Sequence, residues 1–471
     1  MTISITFKRR GLLPAALLVT VSGALVSCTV GPNYQRPALT VPTAFKRAAG
    51  AETNEPALKN NWWTLFGDPA LNKLAEDTLA ANLDIRAAIA RVEQARQNRK
   101  AALGNFAPAI NLGGSARRSG SANGASNSFS LPLDLSYEAD FWGRLRRQYE
   151  SFKASESASV ADLALVGQTA VSEVAQAYFT IRLYDRQILS FEQALELYRK
   201  QLELTDTKYK AGLALPTDLL QAKTQVNSST SQLIEVRRSR AKQEHTIAIL
   251  LGLPPSDFSF APAPLDVAVP SVPAGIPVNL LERRPDIAEA EYRLIVANAA
   301  IGIAKADFFP RFSLSGSAGF QSSNINNLLD WEKRVWSLGS SLSLPIFQGG
   351  RLTAALAQSK ARYEEVVANY RLAVLNAFGD VEDQLSDLHL LAQKAKSLEE
   401  TLVSAREYSR LTEVQYKQGL TTYLQVIDAN QTLLSNELSA AQAQSQRLIA
   451  TVLLIKALGG GWENPDAPAA K

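Results

Sequence analysis

The sequence predicts a mainly α-helical chain with a membrane β-barrel portion, built as one unit of helix, strand, strand, long helix and helix written twice. Three observations predict it. A residue pattern returns after about two hundred positions, four segments alternate apolar and polar residues with period two, and two very long proline-free stretches carry an apolar seam every seven residues.

The repeat is legible residue by residue. Asp84 to Ala116 and Asp286 to Ala318 share their spacing at a shift of 202 residues, both opening on Asp-Ile and reaching Pro108 and Pro310 at the same step. Tyr209, Lys210, Gly212 and Leu213 return as Tyr416, Lys417, Gly419 and Leu420, and Leu251-Gly252 as Leu458-Gly459, at a shift of 207. The extra residues fall between the two strands of a unit, where a surface loop absorbs them.

The strands come next. Phe129, Leu131, Leu133, Leu135 and Tyr137 alternate with Ser130, Asp134 and Ser136. In the second unit Phe312, Leu314, Ala318 and Phe320 alternate with Ser313, Ser315 and Ser317, and Trp336, Leu338, Leu342, Leu344 and Ile346 with Ser337, Ser341 and Ser343. The remaining strand is the weakest, with Ile110 and Leu112 leading into Gly113-Gly114. Each is about as long as the 9–11 residues that cross a bilayer as a tilted strand. Pro132 and Pro345 sit awkwardly, because proline donates no ladder hydrogen bond and favours edges or strand ends. A soluble sandwich needs more strands than four, and four cannot close a membrane barrel alone, so a barrel must be shared between chains. No later stretch reaches the ~20 apolar residues of a spanning helix.

Between Gly143 and Ala211 there is no proline, and Val174, Ile181, Ile188, Leu195, Leu202 and Tyr209 recur every seven residues. At 1.5 Å per residue the helix would be roughly 100 Å long. The matching stretch, Arg351 to Gln418, has Val374, Val381, Leu388 and Leu402 interrupted by Ala395 and Ser409. A narrow apolar seam on an otherwise polar helix suits a wall between neighbouring helices with water on one side. Each long helix stops at a glycine, Gly212 or Gly419, and a second helix begins soon after, at Pro216 in the first unit. Gly252 to Pro277, rich in proline, reads as an irregular surface linker between the halves.

The N-terminus reads as an export signal: Lys8, Arg9 and Arg10, an apolar run from Gly11 to Val26, then Leu25-Val26-Ser27-Cys28, which resembles the bacterial lipobox. Cys28 is the sole cysteine and would carry the lipid, so the mature chain has no disulfide. Aspartate after such a cysteine often holds lipoproteins of this kind in the inner membrane; Thr29 stands there, which favours the outer membrane. Removing the leader takes away three basic residues and no acidic ones, so the formal charge of +4 mostly belongs to the signal, and nothing points to nucleic acid. The expected organisation is signal peptide 1–27, lipidated N-terminus and first repeat 28–280, and second repeat with C-terminal tail 281–471.

Catalysis is not expected. His245 and His389 stand singly on helices, with no second ligand or nucleophile at a working spacing, and no phosphate loop, metal motif or nucleophile elbow is present. The only cofactor-like group expected is the covalent lipid on Cys28.

The motifs Asn61-Trp62-Trp63, Phe66-Gly67-Asp68-Pro69, Phe141-Trp142-Gly143-Arg144, Arg283-Arg284-Pro285-Asp286-Ile287, Phe309-Pro310, Phe347-Gln348-Gly349-Gly350-Arg351 and Tyr416 to Asp428 together resemble the TolC-like outer-membrane efflux proteins over the whole mature chain, in the lipoprotein (NodT-type) branch that serves resistance-nodulation-division pumps. The resemblance implies a homotrimer whose twelve strands form one outer-membrane barrel continued by a twelve-helix periplasmic α-barrel. It implies a periplasmic adaptor that meets the hairpin tips, Gly212 and Leu213 with Gly419 and Leu420, and an inner-membrane pump beyond it. It also implies a passive conduit for small solutes such as drugs or metal ions, pinched at its periplasmic end by Leu424 and Asp428. Read without the family, Leu424 would be seam packing and Asp428 a solvated helix residue. Relatives often have arginine where this chain has Gln431, which removes the cation of a closing ion pair. The alternative is a periplasmic coiled-coil lipoprotein without a pore, a spacer or adhesin, which leaves the four amphipathic strands unexplained.

Overall fold

The computed structural model describes residues 29–39, 41–46, 60–122, 124–272 and 282–463. The expected signal peptide and Cys28 lie outside the described residues. The helices are α1 (Pro69–Ala81), α2 (Leu83–Gly104), α3 (Arg144–Lys210), α4 (Pro216–Leu250), α5 (Pro285–Ala306), α6 (Arg351–Lys417) and α7 (Tyr423–Ala457). The strands are β1 (Ala109–Leu112), β2 (Ser115–Ser121), β3 (Gly124–Ala139), β4 (Arg311–Ser322) and β5 (Arg334–Ser343). The order helix, strands, long helix, helix therefore occurs twice, and α3 and α6 are each 67 residues long. No helix among the described residues is long and apolar enough to cross a membrane.

The chain divides into two compact units, which cut across the two sequence repeats. One comprises residues 1–37, 94–157 and 291–369, the other 38–93, 158–290 and 370–471.

The first unit holds one antiparallel sheet in the order β1/β2, β3, β4, β5. β1 and β2 keep a single register on β3, Leu112 opposite Leu133 and Ser115 opposite Ser130, so they act as one strand. Pro132 explains the break between them. Gly113 N–H donates to Pro132 O at 2.9 Å, but proline has no N–H to return the bond. The expectation that prolines avoid strand interiors holds for Pro345, which lies past the end of β5, and fails for Pro132, which sits in β3 between two partners. Its bulk is accommodated by Gly319 on β4: a Cβ there would lie 2.1 Å from Leu131 O and 2.7 Å from Pro132 Cα. β5 also ends before Leu344 and Ile346, shorter than the alternation suggested.

The second unit is built around a buried cluster. Trp62, Trp63 and Phe66, on a short 3₁₀ turn, pack with Leu71 and Leu74 of α1, Val174, Phe179 and Ile181 of α3, Ile247 of α4 and Leu448, Val452 and Ile455 of α7. Asp68 caps α1, accepting from Ala70 N–H at 2.9 Å, and also accepts the Tyr178 hydroxyl; Pro69 then starts the helix. The seven-residue seam of α3 is buried at Val174, Ile181 and Leu195, while Tyr209 at its end is 41% exposed, so the seam stops short of the hairpin tip. On α6 the seam runs through its polar interruption: Ser409 is buried and donates to Asn430 Oδ1 of α7 at 2.6 Å.

A second node uses the Arg283-Arg284-Pro285-Asp286 motif. Arg284 donates twice to Asp286, at 3.0 and 2.7 Å, once to Asp380 of α6 at 3.0 Å, and once to Ala457 O at the end of α7, at 3.0 Å. Burial pulls this guanidinium down, but the hydrogen bonds and charges of Asp286 and Asp380 outweigh it and hold the group above its ordinary value.

Candidate functional site

The sheet sorts its side chains by face. The register puts Ile110, Leu112 and Ala116, then Phe129, Leu131, Leu133, Leu135 and Tyr137, then Phe312, Leu314, Ala318 and Phe320, then Trp336, Leu338 and Leu342 on one side. The other side carries Ser115, Ser130, Asp134, Ser136, Ser313, Ser315, Ser317, Ser337 and Ser341. Ser115 and Ser130 hydroxyls meet across it at 2.8 Å. The apolar side is exposed, with Leu112 70%, Trp336 79% and Leu338 69% accessible. So large a contiguous apolar surface marks contact with lipid or protein, and a one-residue slip of any strand would mix the two faces.

Below the sheet, in the same unit, the segment after Cys28 is pinned. Val30 N–H donates to Trp142 O at 3.0 Å, Arg147 reaches Asn33 Oδ1 at 2.8 Å, Asn298 donates to Pro32 O at 3.0 Å, and Arg36 grips Glu291 with two bonds of 2.8 and 2.6 Å. Thr29 lies against Gly143. Trp142 also stacks on Phe309 and donates to Pro310 O at 2.9 Å, which ties two of the sequence motifs to each other. Periodicity gave no sign of this clamp, because its partners are far apart in sequence and lie on no common helix face.

In the second unit the hairpins end as the glycines predict. Gly212 and Gly419 have φ of 72° and 76°, a region that costs an L residue strain. Leu213 N–H bonds Lys208 O at 2.8 Å and Leu420 N–H bonds Gln415 O at 2.9 Å, the six-to-one closure of a Schellman cap. The two leucines are left 77% and 73% exposed. Tyr416 packs on Tyr423 with ring centroids 5.8 Å apart, and the Lys208 ammonium lies 4.1 Å from the Tyr416 ring.

On α7, Tyr423, Ile427, Asn430 and Leu434 face inward. Leu424, Asp428, Gln431 and Ser435, each one residue further round the helix, form an exposed stripe beside that face, at helical spacing. Leu424 is therefore not seam packing within the chain; it is 59% exposed. Tyr408 of α6 donates to Asp428 at 3.4 Å, and Gln431 donates to Gln225 of α4 at 2.5 Å. His245 is exposed on α4, and His389 meets Gln393 at 3.0 Å. Among the described residues no cluster of His, Cys, Asp or Glu could hold a metal ion.

Two buried phenols make the stability of this unit sensitive to alkaline pH. Tyr178 is pushed up to about 12 by burial and by its bond to Asp68, and Tyr423 to about 12 by burial and the neighbouring Tyr416. Because the folded values lie above the ordinary one near 10, their stabilising contribution is whole below about pH 10 and is lost as pH rises through about 12. Helical circular dichroism of the purified protein should fall across that window, and less steeply in Tyr178→Phe/Tyr423→Phe.

A two-faced sheet whose outer strands have no further partner among the described residues, joined to long helices that return as capped hairpins, defines a membrane-channel subunit. The outer membrane efflux protein model matches residues 74–253 and 276–460, and the chain belongs to that family. It is 34% identical to the pyoverdine export outer membrane protein OpmQ of Pseudomonas aeruginosa, over 98% of each chain. It is 30% identical to the cation efflux system protein CusC of Escherichia coli, over 94% of this chain and 98% of that one. Among solved structures it resembles the outer-membrane channel OprN, with a TM-score of 0.86 and 32% identity over 93% of this chain and 100% of that chain. The protein is an outer-membrane efflux channel that extends into the periplasm.

Proposed function

We propose that three copies close their sheets into one twelve-stranded barrel, the outer conduit of a tripartite export system. The observation that carries this reading is the single-register sheet whose large apolar strand residues, Pro132 and Val335 apart, lie on one side. In lipid that side faces the acyl chains and the serine side faces water, and the two edges, β1/β2 and β5, must be paired by other copies because hydrocarbon cannot satisfy their backbone groups. The number three comes from the family.

The lipid on Cys28 anchors the mature N-terminus beside the base of the sheet, where the clamp around Thr29, Trp142 and Arg147 holds the next residue. The exposed Leu213 and Leu420 at the hairpin tips meet the periplasmic adaptor, which links the channel to an inner-membrane resistance-nodulation-division pump. The stripe of Leu424, Asp428 and Gln431 lines the periplasmic end of the tunnel. Three copies of Leu424 make an apolar constriction that holds little water, and three of Asp428 an acidic ring that favours cations. With glutamine at 431, the clasp between α7 and α4 is a neutral hydrogen bond and not an ion pair. Relatives named for pyoverdine export and for cation efflux match this chain at similar identity. That breadth fits a passive conduit whose pump selects the cargo, drugs and metal ions included.

Conductance in planar bilayers tests the reading. Wild-type trimers should pass little current, and Leu424→Ser/Asp428→Ala should raise conductance severalfold and reduce cation preference. Trimers of both forms that never pass current would overturn the pore.

A further inference from the structure

The apolar side of the sheet is interrupted by charge in a patterned way. On β2 the register continues from Ala116 to Arg118, opposite Asn127, so Arg118 lies on the same side as Ile110 and Leu112. On β5 the position before Trp336 on that side is Arg334, opposite Phe320. β2 and β5 are the two edge strands, and on each the apolar run ends in arginine at the turn end of the sheet, away from the end where α2, α3, α5 and α6 join it. Arg117, by contrast, points to the serine side.

Both arginines are exposed, and among the described residues neither pairs with a carboxylate, although Asp330 and Glu332 are in the loop leading to β5. Arg334 is pre-ordered: its guanidinium lies 4.6 Å from the centre of the Trp331 ring and donates to Trp331 O at 2.9 Å. Its remaining N–H groups form a planar fork. Lys333 adds a third cation. Snorkelling alone would explain a long basic side chain at a membrane boundary, but not its occurrence on both edges, nor a guanidinium stacked on tryptophan without an acidic partner.

In the closed ring proposed above, on which this inference rests, β5 of one copy meets β1/β2 of the next. Arg334 of one protomer and Arg118 of its neighbour then lie on adjacent strands at each seam, facing lipid. The turn end points out of the cell, because the helices extend into the periplasm. We propose that each seam binds the phosphates of a phosphorylated glycolipid of the outer leaflet. The Arg334 fork and Arg118 take the phosphates bidentately, and the acyl chains lie over Trp336 and Leu338 on one strand and Leu112 on the other. A headgroup with two phosphates matches two arginines and a lysine better than a glycerophospholipid with one, and its chains hold both sides of the seam together.

Native mass spectrometry of detergent-purified trimers tests this, with bis-phosphorylated lipid A, its dephosphorylated form and phosphatidylglycerol added in turn. Wild-type trimers should retain one lipid A per seam, and Arg118→Gln/Arg334→Gln should bind it about tenfold more weakly. The dephosphorylated form and phosphatidylglycerol should bind wild type at the level of that variant. Equal retention of lipid A by wild type and variant, or of lipid A and phosphatidylglycerol by wild type, would overturn the proposal while leaving the trimer standing. Masses of monomers alone would overturn the shared barrel and this site with it. The headgroup comparison on wild type decides the matter even where the variant fails to assemble.

Discussion

Gly319→Val is expected to abolish membrane assembly. The new side chain would start 2.1 Å from Leu131 O and 2.7 Å from Pro132 Cα, both backbone atoms of the paired strand. No rotamer relieves a Cβ clash, so β3 and β4 must separate along a ladder that runs from Phe129–Ser322 to Ala139–Phe312. The cost is about 4 kcal/mol or more, at the upper end for a single substitution. Gly316→Ala on the same strand is the control: its nearest neighbour would be Leu338 Cδ1 at 3.5 Å, an ordinary contact. Outer-membrane fractionation should show Gly316→Ala at wild-type level and Gly319→Val absent from the membrane. Normal insertion of Gly319→Val would mean that the β3–β4 register is not the one used in the bilayer.

Arg284→Met is expected to destabilise the second unit by about 3 kcal/mol, at the low end for breaking a buried ion pair. The substitution leaves Ala457 O without its donor and Asp286 without its cation, with 28% of the aspartate side chain exposed. Asp380 adds less, since its side chain is 55% exposed and water screens it. Arg284→Lys should recover little, because a compact ammonium lacks the planar fork that grips Asp286 at two points while reaching Asp380 and Ala457 O. Thermal dissociation of the purified protein measures this, and an unchanged midpoint in Arg284→Met would show the node to be dispensable.

Much of this architecture is legible in the sequence, for a physical reason. Period-two and period-seven patterns report which face of an element is apolar, so the faces of β3, β4 and β5, the lengths of α3 and α6 and the stops at Gly212 and Gly419 could all be read directly. What periodicity does not report is the identity of the partner. Pro132 is tolerated in a central strand because Gly319 and Gly113 flank it, and no local pattern couples positions so far apart. Tyr209 keeps the heptad spacing yet is exposed, whereas its counterpart Tyr416 packs on Tyr423, a difference that spacing alone does not report. The Arg283-Arg284-Pro285-Asp286 and Phe66-Gly67-Asp68-Pro69 motifs stand out in the sequence only as family signatures. Their work, closing the end of α7 and capping α1 under Tyr178, depends on contacts made after folding. The same holds for Arg147, Asn298 and Glu291, which hold the segment after Cys28.

Cross-linking across the unpaired strand edges tests the shared sheet most directly. Cys28 is the only cysteine in the chain, and the lipid proposed for it would remove its free thiol, so introduced pairs are read on a clean background. Cysteines placed at Ala116 on β2 and, one at a time, at Trp336, Leu338 and Leu342 on β5 lie on the same side of opposite edges. Oxidation in intact cells should, for at least one pair, give covalent dimers and a final trimer band with nothing beyond it. Monomers alone from every pair, in protein correctly delivered to the outer membrane, would contradict a sheet closed by neighbouring copies.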